Sequence, residues 1–131
     1  MKGESIMPFV KLHVSSRCIF SRRKLVRDVR LALVETLGIS PDHGHVILYE
    51  SDIFFRSTDK SRSSDFVFVE IIMFAGRNDQ MKEDLFKRLN AIIHDRTRVP
   101  ERDILLVIVE SERNNWAARG GIPLSRLDLG Y

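Results

Sequence analysis

Pro8 is the residue of this chain whose type and position point most directly to chemistry. It follows Met7 and heads a strand-like run over residues 9–14. A proline that begins a mature chain carries a secondary amine, and an α-amino group titrates at about 7.7–8 in model peptides. A dry apolar pocket lowers that pKa because it disfavours the ammonium form, which leaves a base suited to proton transfer at neutral pH. This chemistry requires a mature chain that starts at Pro8, since otherwise the nitrogen is an ordinary imide.

Arg77 is the second candidate, because it stands where a second helix is predicted to begin. A helix dipole favours anions at its amino end, so an arginine there is electrostatically unfavourable. That placement favours a functional interpretation, in which the guanidinium and the helix terminus bind one anion together. Arg17 occupies the matching place before the first predicted helix and begins a basic stretch, which is typical of the solvated face of a helix.

The elements that would position these residues follow one strand–helix–strand pattern, present twice. The first copy has a strand over residues 9–14, a helix from the cap Ser21 to Leu37 with Gly38 as its stop, and a strand over 46–49. The second has a strand over 66–74, a helix capped by Asn78 with Pro100 beyond its end, and a strand over 104–109. Each unit predicts a parallel strand pair joined by a right-handed crossover.

Corresponding residues of the two copies are separated by the same number of sequence positions, a constant offset. It relates Arg17 to Arg77, Leu25 to Leu85, Val29 to Leu89, Leu33 to Ile93 and Glu50 to Glu110. We therefore predict an α+β fold in which two β-α-β repeats form a four-stranded mixed sheet with two helices on one face. The polar segment 51–65 is predicted to be a surface loop between the repeats, and the tail 114–131 an irregular arm or short hairpin.

Length and composition favour one globular domain. The chain has 131 residues, 44% of them hydrophobic and 30% charged, and a net charge of +3. We divide the chain into an extension over residues 1–7 and a domain over residues 8–131. The amine chemistry requires the extension to be untranslated or removed. Within the domain we expect repeats at about 8–50 and 66–110 and an arm over 111–131.

Membrane and nucleic-acid functions are not favoured by the sequence. No run is long and apolar enough for a membrane span, and the modest net charge does not favour nucleic-acid binding. The single cysteine, Cys18, cannot form an internal disulfide, so we expect a cytoplasmic protein.

Metal and thiol chemistry find little support in the sequence. His43 and His45 flank a glycine in a predicted turn, but two histidines without a third ligand are a weak metal signal. Cys18 has no recognisable base partner, so no nucleophilic role is assigned to it. We expect neither a metal nor a cofactor.

Three segments together resemble the tautomerase superfamily, and in particular its malonate semialdehyde decarboxylase branch and uncharacterised relatives. They are Met7-Pro8-Phe9-Val10-Lys11-Leu12, Phe74-Ala75-Gly76-Arg77-Asn78-Asp79-Gln80-Met81-Lys82, and Val109-Glu110 followed by Asn114-Asn115-Trp116. The resemblance implies a homotrimer with a pocket around each amino-terminal proline. It implies that Pro8 is the catalytic amine and that Arg77 holds a substrate carboxylate. For Trp116, the only tryptophan, two interpretations stay open: it lines the pocket, as the resemblance implies, or it packs as an anchor.

Two departures from the decarboxylase branch narrow the expected reaction. Ala75 stands where that branch has a second arginine, and Gly44 stands where it has an acidic residue. Decarboxylation or hydration of a 3-oxo acid is therefore less favoured than keto–enol tautomerisation of a small organic acid.

The main alternative to an enzyme is a catalytically silent trimer of the same fold with an interaction role. An RNA-recognition-like module, which shares the β-α-β-β-α-β order, is the third hypothesis.

Overall fold

The computed structural model describes residues 7–128 and contains two β-α-β units in one sheet. In chain order the elements are β1 (Phe9–Ser15), α1 (Arg22–Leu37), β2 (His45–Ser51), β3 (Val67–Phe74), α2 (Asp79–Thr97), β4 (Ile104–Ser111), β5 (Ala117–Ala118) and β6 (Ile122–Pro123). The predicted elements are all present, with strand ends displaced by one or two residues. Of the predicted amino-terminal extension, only Met7 lies within the described residues.

Both helices are bounded by caps that satisfy terminal backbone groups. The side chain of Ser21 accepts a hydrogen bond from the Lys24 amide, and that of Asn78 accepts one from the Met81 amide. Helix α1 ends at Gly38, whose φ of 66° is the left-handed conformation that glycine adopts without strain. Helix α2 ends in the same conformation at Arg98, a stop that the sequence pattern did not reveal.

The sheet order is β2-β1-β3-β4, with parallel outer pairs and an antiparallel central pair. Strands β1 and β2 pair directly, as do β3 and β4. In the split β-α-β arrangement of RNA-recognition-like domains, another strand separates the two strands of each unit. The observed pairing therefore contradicts the RNA-recognition-like hypothesis at the level of topology.

Both helices pack on one face of the sheet, and alternation along the strands builds the core between them. Residues at every second position of β1 and β3 are buried against the helices, and the inward residues of α1 and α2 complete the layer. The fully buried members with the largest side chains are Leu12, Leu25, Leu33, Ile71, Met73, Leu85, Leu89 and Ile93. The helix positions that correspond between the two repeats, Leu25 and Leu85, Val29 and Leu89, and Leu33 and Ile93, are all buried in this core.

Each repeat contains an ion pair at the equivalent place, between the first turn of its helix and its closing strand. Arg22, at the start of α1, donates two hydrogen bonds of 2.7 Å to Glu50 on β2. Lys82, in the first turn of α2, donates one of 2.8 Å to Glu110 on β4. The offset that relates Arg22 to Lys82 also relates their acidic partners, so the internal duplication extends to the contact between each helix and its closing strand.

The sheet face opposite the helices carries no helix of residues 7–128. Its residues are mainly apolar, and they include Phe9, His13, Ile47, Tyr49, Phe68, Glu70, Ile72, Leu105, Val107 and Val109. At its centre, the Glu70 carboxylate lies 3.3 Å from the His13 ring nitrogen and 4.0 Å from the Lys11 ammonium. No helix within the described part of the chain is long and apolar enough to cross a membrane.

Short helical turns follow the closing strand of each repeat. One 3-10 turn spans Ile53–Phe55, inside the segment predicted to be a loop, and another spans Arg113–Asn115. Beyond the second turn, β5 and β6 pair as a small antiparallel hairpin. This agrees with the short-hairpin alternative for the tail, whose last three residues lie outside the described part.

Candidate active site

A cavity of about 560 Å³ lies where β1 begins and β3 ends. Its lining comes from the start of β1, the segment after α1, the connection from β3 to α2, and the turn after β4. The lining residues are Met7, Pro8, Gly38, Ile39, Ser40, His43, Met73, Phe74, Ala75, Gly76, Arg77, Met81 and Arg113. Two predicted site residues, Pro8 and Arg77, therefore meet at one cavity although they belong to different repeats of the sequence.

Strand pairing places Pro8 at this cavity. The next residue, Phe9, is paired with Ile72 of the antiparallel strand β3, so the start of β1 lies beside the end of β3. On the other side, the Pro8 carbonyl accepts a hydrogen bond of 3.0 Å from the His45 amide. Pro8 is buried, and in the full chain its nitrogen is joined to Met7 through a peptide bond.

The turn between β3 and α2 places Arg77. Gly76 has a φ of 120°, which side-chain-bearing residues rarely adopt, and this conformation redirects the chain before the Asn78 cap. Arg77 is half-buried, and its Nη1 donates a hydrogen bond of 2.7 Å to the Leu37 carbonyl at the end of α1. That carbonyl belongs to the partially negative end of its helix. The guanidinium is thus held between the end of one helix and the beginning of the other.

Arg17, the counterpart of Arg77 in the first repeat, has a different partner. Its guanidinium donates two hydrogen bonds, of 2.8 and 2.6 Å, to the carboxylate of Asp65. This is the bidentate geometry in which arginine binds carboxylates most strongly. Among residues 7–128, no acidic side chain pairs with Arg77 in this way. Arg17 is exposed as predicted, but the chain itself supplies its carboxylate.

The cavity also contains two residues whose roles the sequence did not indicate. His43, which the sequence marks only as a weak metal signal, lines the cavity from the turn after α1, where Arg30 donates to the carbonyls of Pro41 and His43 at 2.6 and 3.0 Å. Arg113 lines it from the turn after β4, with its guanidinium carbon 4.9 Å from the centre of the Phe74 ring. No local sequence motif identifies either residue as part of a site, because both reach the cavity only through the order of the strands in the folded sheet.

Trp116 lies next to this cavity but is not among its lining residues. Its indole N–H donates a hydrogen bond of 2.6 Å to the Ser111 hydroxyl at the end of β4. The side chain is half-buried, which suits a packing anchor for the turn that carries Arg113. A direct part for Trp116 in substrate binding stays a prediction.

The ionisable side chains that line the cavity are all basic residues. They are Arg77, Arg113 and His43, and the described lining includes no aspartate or glutamate. Within the described chain, no group of three or more metal-ligating side chains is present. The arrangement can therefore hold a small anion beside Pro8.

The remaining candidates lie elsewhere. His13 belongs to the open sheet face, where its ring stacks on Tyr49 at 5.1 Å. Cys18 lies with Asp65 at a second, smaller cavity, and burial raises the pKa of its thiol. A raised pKa makes the thiolate scarcer at neutral pH, which agrees with the absence of a nucleophilic role.

The Arg17–Asp65 pair makes stability depend on pH. The hydrogen bond from Arg17 holds the pKa of the Asp65 carboxyl below its usual range. Its stabilisation is therefore present above the unfolded pKa of about 3.9 and is lost as the pH falls through the lower folded value. We expect Asp65→Asn to lower the free energy of unfolding at pH 5–7, with the difference from wild type shrinking below about pH 4.

Urea unfolding of both proteins between pH 7 and pH 3 measures this difference. The control is Asp95→Asn at an exposed position of α2, which should leave the free energy of unfolding unchanged over the same range. A destabilisation by Asp65→Asn that stays constant down to pH 3 would contradict the ion-pair account.

Comparison with known proteins identifies relatives of this fold. The family model described as "Tautomerase enzyme" matches residues 48–119, more than half of the chain. No curated protein matches the sequence. Among solved structures, the chain is similar to a wild-type fused 4-OT symmetric trimer, with 17% identity, a TM-score of 0.79, and coverage of 90% of this chain and 97% of the other.

Two further structures carry the name of the decarboxylase branch. The FG41 malonate semialdehyde decarboxylase inhibited by 3-bromopropiolate is 24% identical, with a TM-score of 0.70 and coverage of 84% and 88% of the two chains. A malonate semialdehyde decarboxylase, solved as wild type, as a mutant and in inactivated form, is 18% identical, with a TM-score of 0.64 and coverage of 86% and 92%. At these identities the likeness establishes the fold.

Proposed function

Since this chain belongs to the tautomerase family, we propose that it is a cofactor-free tautomerase acting on a small organic acid that bears a carboxylate. The reaction is proton transfer α to a carbonyl, that is, keto–enol tautomerisation. The observation that carries the proposal is that Pro8 and Arg77 line the same basic cavity.

In this mechanism Arg77 binds the substrate carboxylate, and Pro8 moves the proton. A planar guanidinium holds a carboxylate by two parallel hydrogen bonds, which fixes the α-carbon beside the amine. The neutral Pro8 amine takes a proton from that carbon, and the C–H electron pair moves into the enolate. The resulting ammonium returns the proton to the enolate oxygen, or, in the reverse reaction, to carbon.

The surroundings of Pro8 suit an amine that must stay neutral. Met73 is fully buried, and Ile39 and Met81 are partly buried residues that pack against the hydrophobic core while lining the cavity. Apolar walls disfavour the ammonium form of an amine, and so does the positive charge of a guanidinium that lines the same cavity. The mechanism requires a chain that begins at Pro8, because a peptide bond to Met7 removes the basic lone pair.

A catalytically silent protein of the same fold is the second candidate. It is favoured by the seven residues that precede Pro8 in the sequence, of which Met7 itself lines the cavity. In that case the cavity would bind an anion without turning it over. Decarboxylation and hydration have less support, because Ala75 supplies no second cation beside Arg77 and Gly44 no carboxylate.

We further propose that three copies of the chain assemble through the open sheet face. That face is mainly apolar, and the strands at both sheet edges have unpaired sides within the described chain. The solved structures of similar fold include proteins named as symmetric and asymmetric trimers. A closed ring of three chains would cover the face and pair the edges.

Assembly is tested by sedimentation equilibrium. The account predicts a mass three times that of the 15.2 kDa chain. Ile47→Asp, on the open face, should dissociate the trimer because it would bury a charge without a partner. Leu31→Asp is the control, since Leu31 is similarly exposed on α1 and should leave the mass unchanged. A wild-type protein that sediments as a monomer would exclude this assembly.

The role of Arg77 is tested with Arg77→Gln in a protein whose first residue is Pro8. Loss of the carboxylate-binding guanidinium should lower kcat/KM for enolisation of phenylpyruvate by about 10²–10³-fold. The chain offers a matched control in Arg17→Gln, which changes the equivalent arginine of the other repeat, already paired with Asp65. That variant should keep most of the activity. Full activity of Arg77→Gln would overturn the site assignment.

A further inference from the structure

We propose that this chain has a second small-molecule site, at the end of the sheet opposite the first cavity, which binds a short aminocarboxylate zwitterion. The buried carboxylate of Asp103 binds the ligand ammonium, and the guanidinium groups of Arg98 and Arg102 bind the ligand carboxylate. All three residues line a cavity of about 190 Å³. Its ligand and its residues differ from those of the proposed reaction, so this site does not depend on that reaction.

The internal duplication of the chain places the second cavity. Four of its lining residues are related by the constant offset to lining residues of the first cavity: Arg98 to Gly38, Val99 to Ile39, Pro100 to Ser40 and Asp103 to His43. Both helices also end in the same left-handed conformation, with a φ of 66° at Gly38 and of 64° at Arg98. Each repeat therefore forms a cavity in the segment that follows its helix.

The two cavities differ in the charges of their walls. His43 of the first cavity corresponds to Asp103 of the second, and Gly38 corresponds to Arg98. The described lining of the first cavity includes no carboxylate, whereas Asp65 and Asp103 both line the second. A ligand that complements the second cavity therefore carries a positive group as well as a negative one.

Asp103 is the carboxylate of this cavity that can accept a ligand cation. It is only 1% exposed, yet within residues 7–128 its side chain accepts a single hydrogen bond, of 3.3 Å from the Ser63 amide, and pairs with no basic side chain. Asp65 differs, because Arg17 donates to both of its oxygens at 2.8 and 2.6 Å. A buried carboxylate is costly unless a cation pairs with it. A ligand ammonium supplies that cation.

The backbone that carries Asp103 is fixed by hydrogen bonds. Asp103 ends the 3-10 turn Glu101–Asp103, and its amide donates to the Pro100 carbonyl at 2.8 Å. The adjacent carbonyl of Arg102 accepts a hydrogen bond of 2.8 Å from the Arg62 guanidinium. A binding group on an ordered turn loses less conformational entropy when the ligand binds.

Arg98 and Arg102 supply positive charge at the solvent side of the cavity. Both residues are exposed, and in the described part of the chain neither guanidinium pairs with an acidic side chain. A ligand whose ammonium lies at the buried Asp103 therefore directs its carboxylate outward, to these arginines. The volume of about 190 Å³ is below the usual range for drug-sized ligands, which limits the ligand to a few non-hydrogen atoms.

The test compares β-alanine with butyrate, in which a methyl group replaces the ammonium, and with propylamine, which lacks the carboxylate. Isothermal titration calorimetry on the full chain measures the three dissociation constants. We expect β-alanine to bind more tightly than either by about 10–100-fold, the range for an added charge-assisted hydrogen-bonded contact. Asp103→Asn should abolish the advantage over butyrate. Replacing Arg98 and Arg102 together by glutamine should abolish the advantage over propylamine.

Control variants separate this cavity from the first one. Arg77→Gln changes the first cavity and should bind β-alanine as wild type does. Arg23→Gln is the matched control for the arginine replacements, because Arg23 is exposed on α1 and lines neither cavity. Urea unfolding verifies that Asp103→Asn is folded. The arginine replacements change exposed residues, so they test the site even if Asp103→Asn does not fold.

Three results would overturn the proposal. The first is a wild-type dissociation constant for β-alanine weaker than about 10 mM, and the second is β-alanine binding no tighter than that of butyrate. The third is β-alanine binding that is lost in Arg77→Gln and kept in Asp103→Asn, since that would place the ligand in the first cavity. The tautomerase reaction is tested separately, by turnover of phenylpyruvate, so either proposal can fail without the other.

Discussion

The antiparallel pairing of β1 with β3 is the constraint on which the rest of the structure depends. It is the only contact in the four-stranded sheet of the described chain that joins the two repeats, because each parallel pair lies within one repeat. With Phe9 opposite Ile72, the start of the first repeat meets the end of the first strand of the second. A shift of one residue in this register would turn the core face of β1 toward solvent and move Pro8 away from the cavity.

The internal duplication also provides a comparison within one molecule. Arg17 and Arg77 occupy equivalent positions before equivalent helices, yet their surroundings differ. In the first repeat Asp65 satisfies the guanidinium with a bidentate ion pair, whereas in the second Arg77 is held by the Leu37 carbonyl at the wall of a cavity. Arg17 is thus part of an ion pair within the chain, whereas Arg77 lines a cavity, which is why we propose the ligand-binding role for Arg77 rather than for Arg17.

The fold was largely predictable from the sequence because its signals are local and occur twice. The caps Ser21 and Asn78 and the apolar helix spacing predicted both helices, and the constant offset between the copies predicted how they correspond. The left-handed end of α2 at Arg98 was not predictable, since nothing in the local pattern replaces the usual glycine. The 3-10 turn at Ile53–Phe55 was missed because its segment is polar on average.

The candidate site was only half predictable, and for a physical reason. Pro8 and Arg77 are marked by chain position and by an unusual place on a helix, both of which are visible in the sequence. His43 and Arg113 reach the cavity through strand order and register, so no neighbouring residue marks them. For Arg113, the parallel pairing of β3 with β4 must be known before its place at the cavity becomes visible.

The central claim is that a free amine on Pro8 performs the proton transfer. The most direct test compares kcat/KM for phenylpyruvate enolisation between a chain produced with Pro8 as its first residue and the full chain of 131 residues. Intact mass verifies where each protein begins. The account predicts that the chain starting at Pro8 is more active by about 10²–10⁴-fold, the usual contribution of a general base. Equal turnover by both proteins would contradict amine catalysis by Pro8.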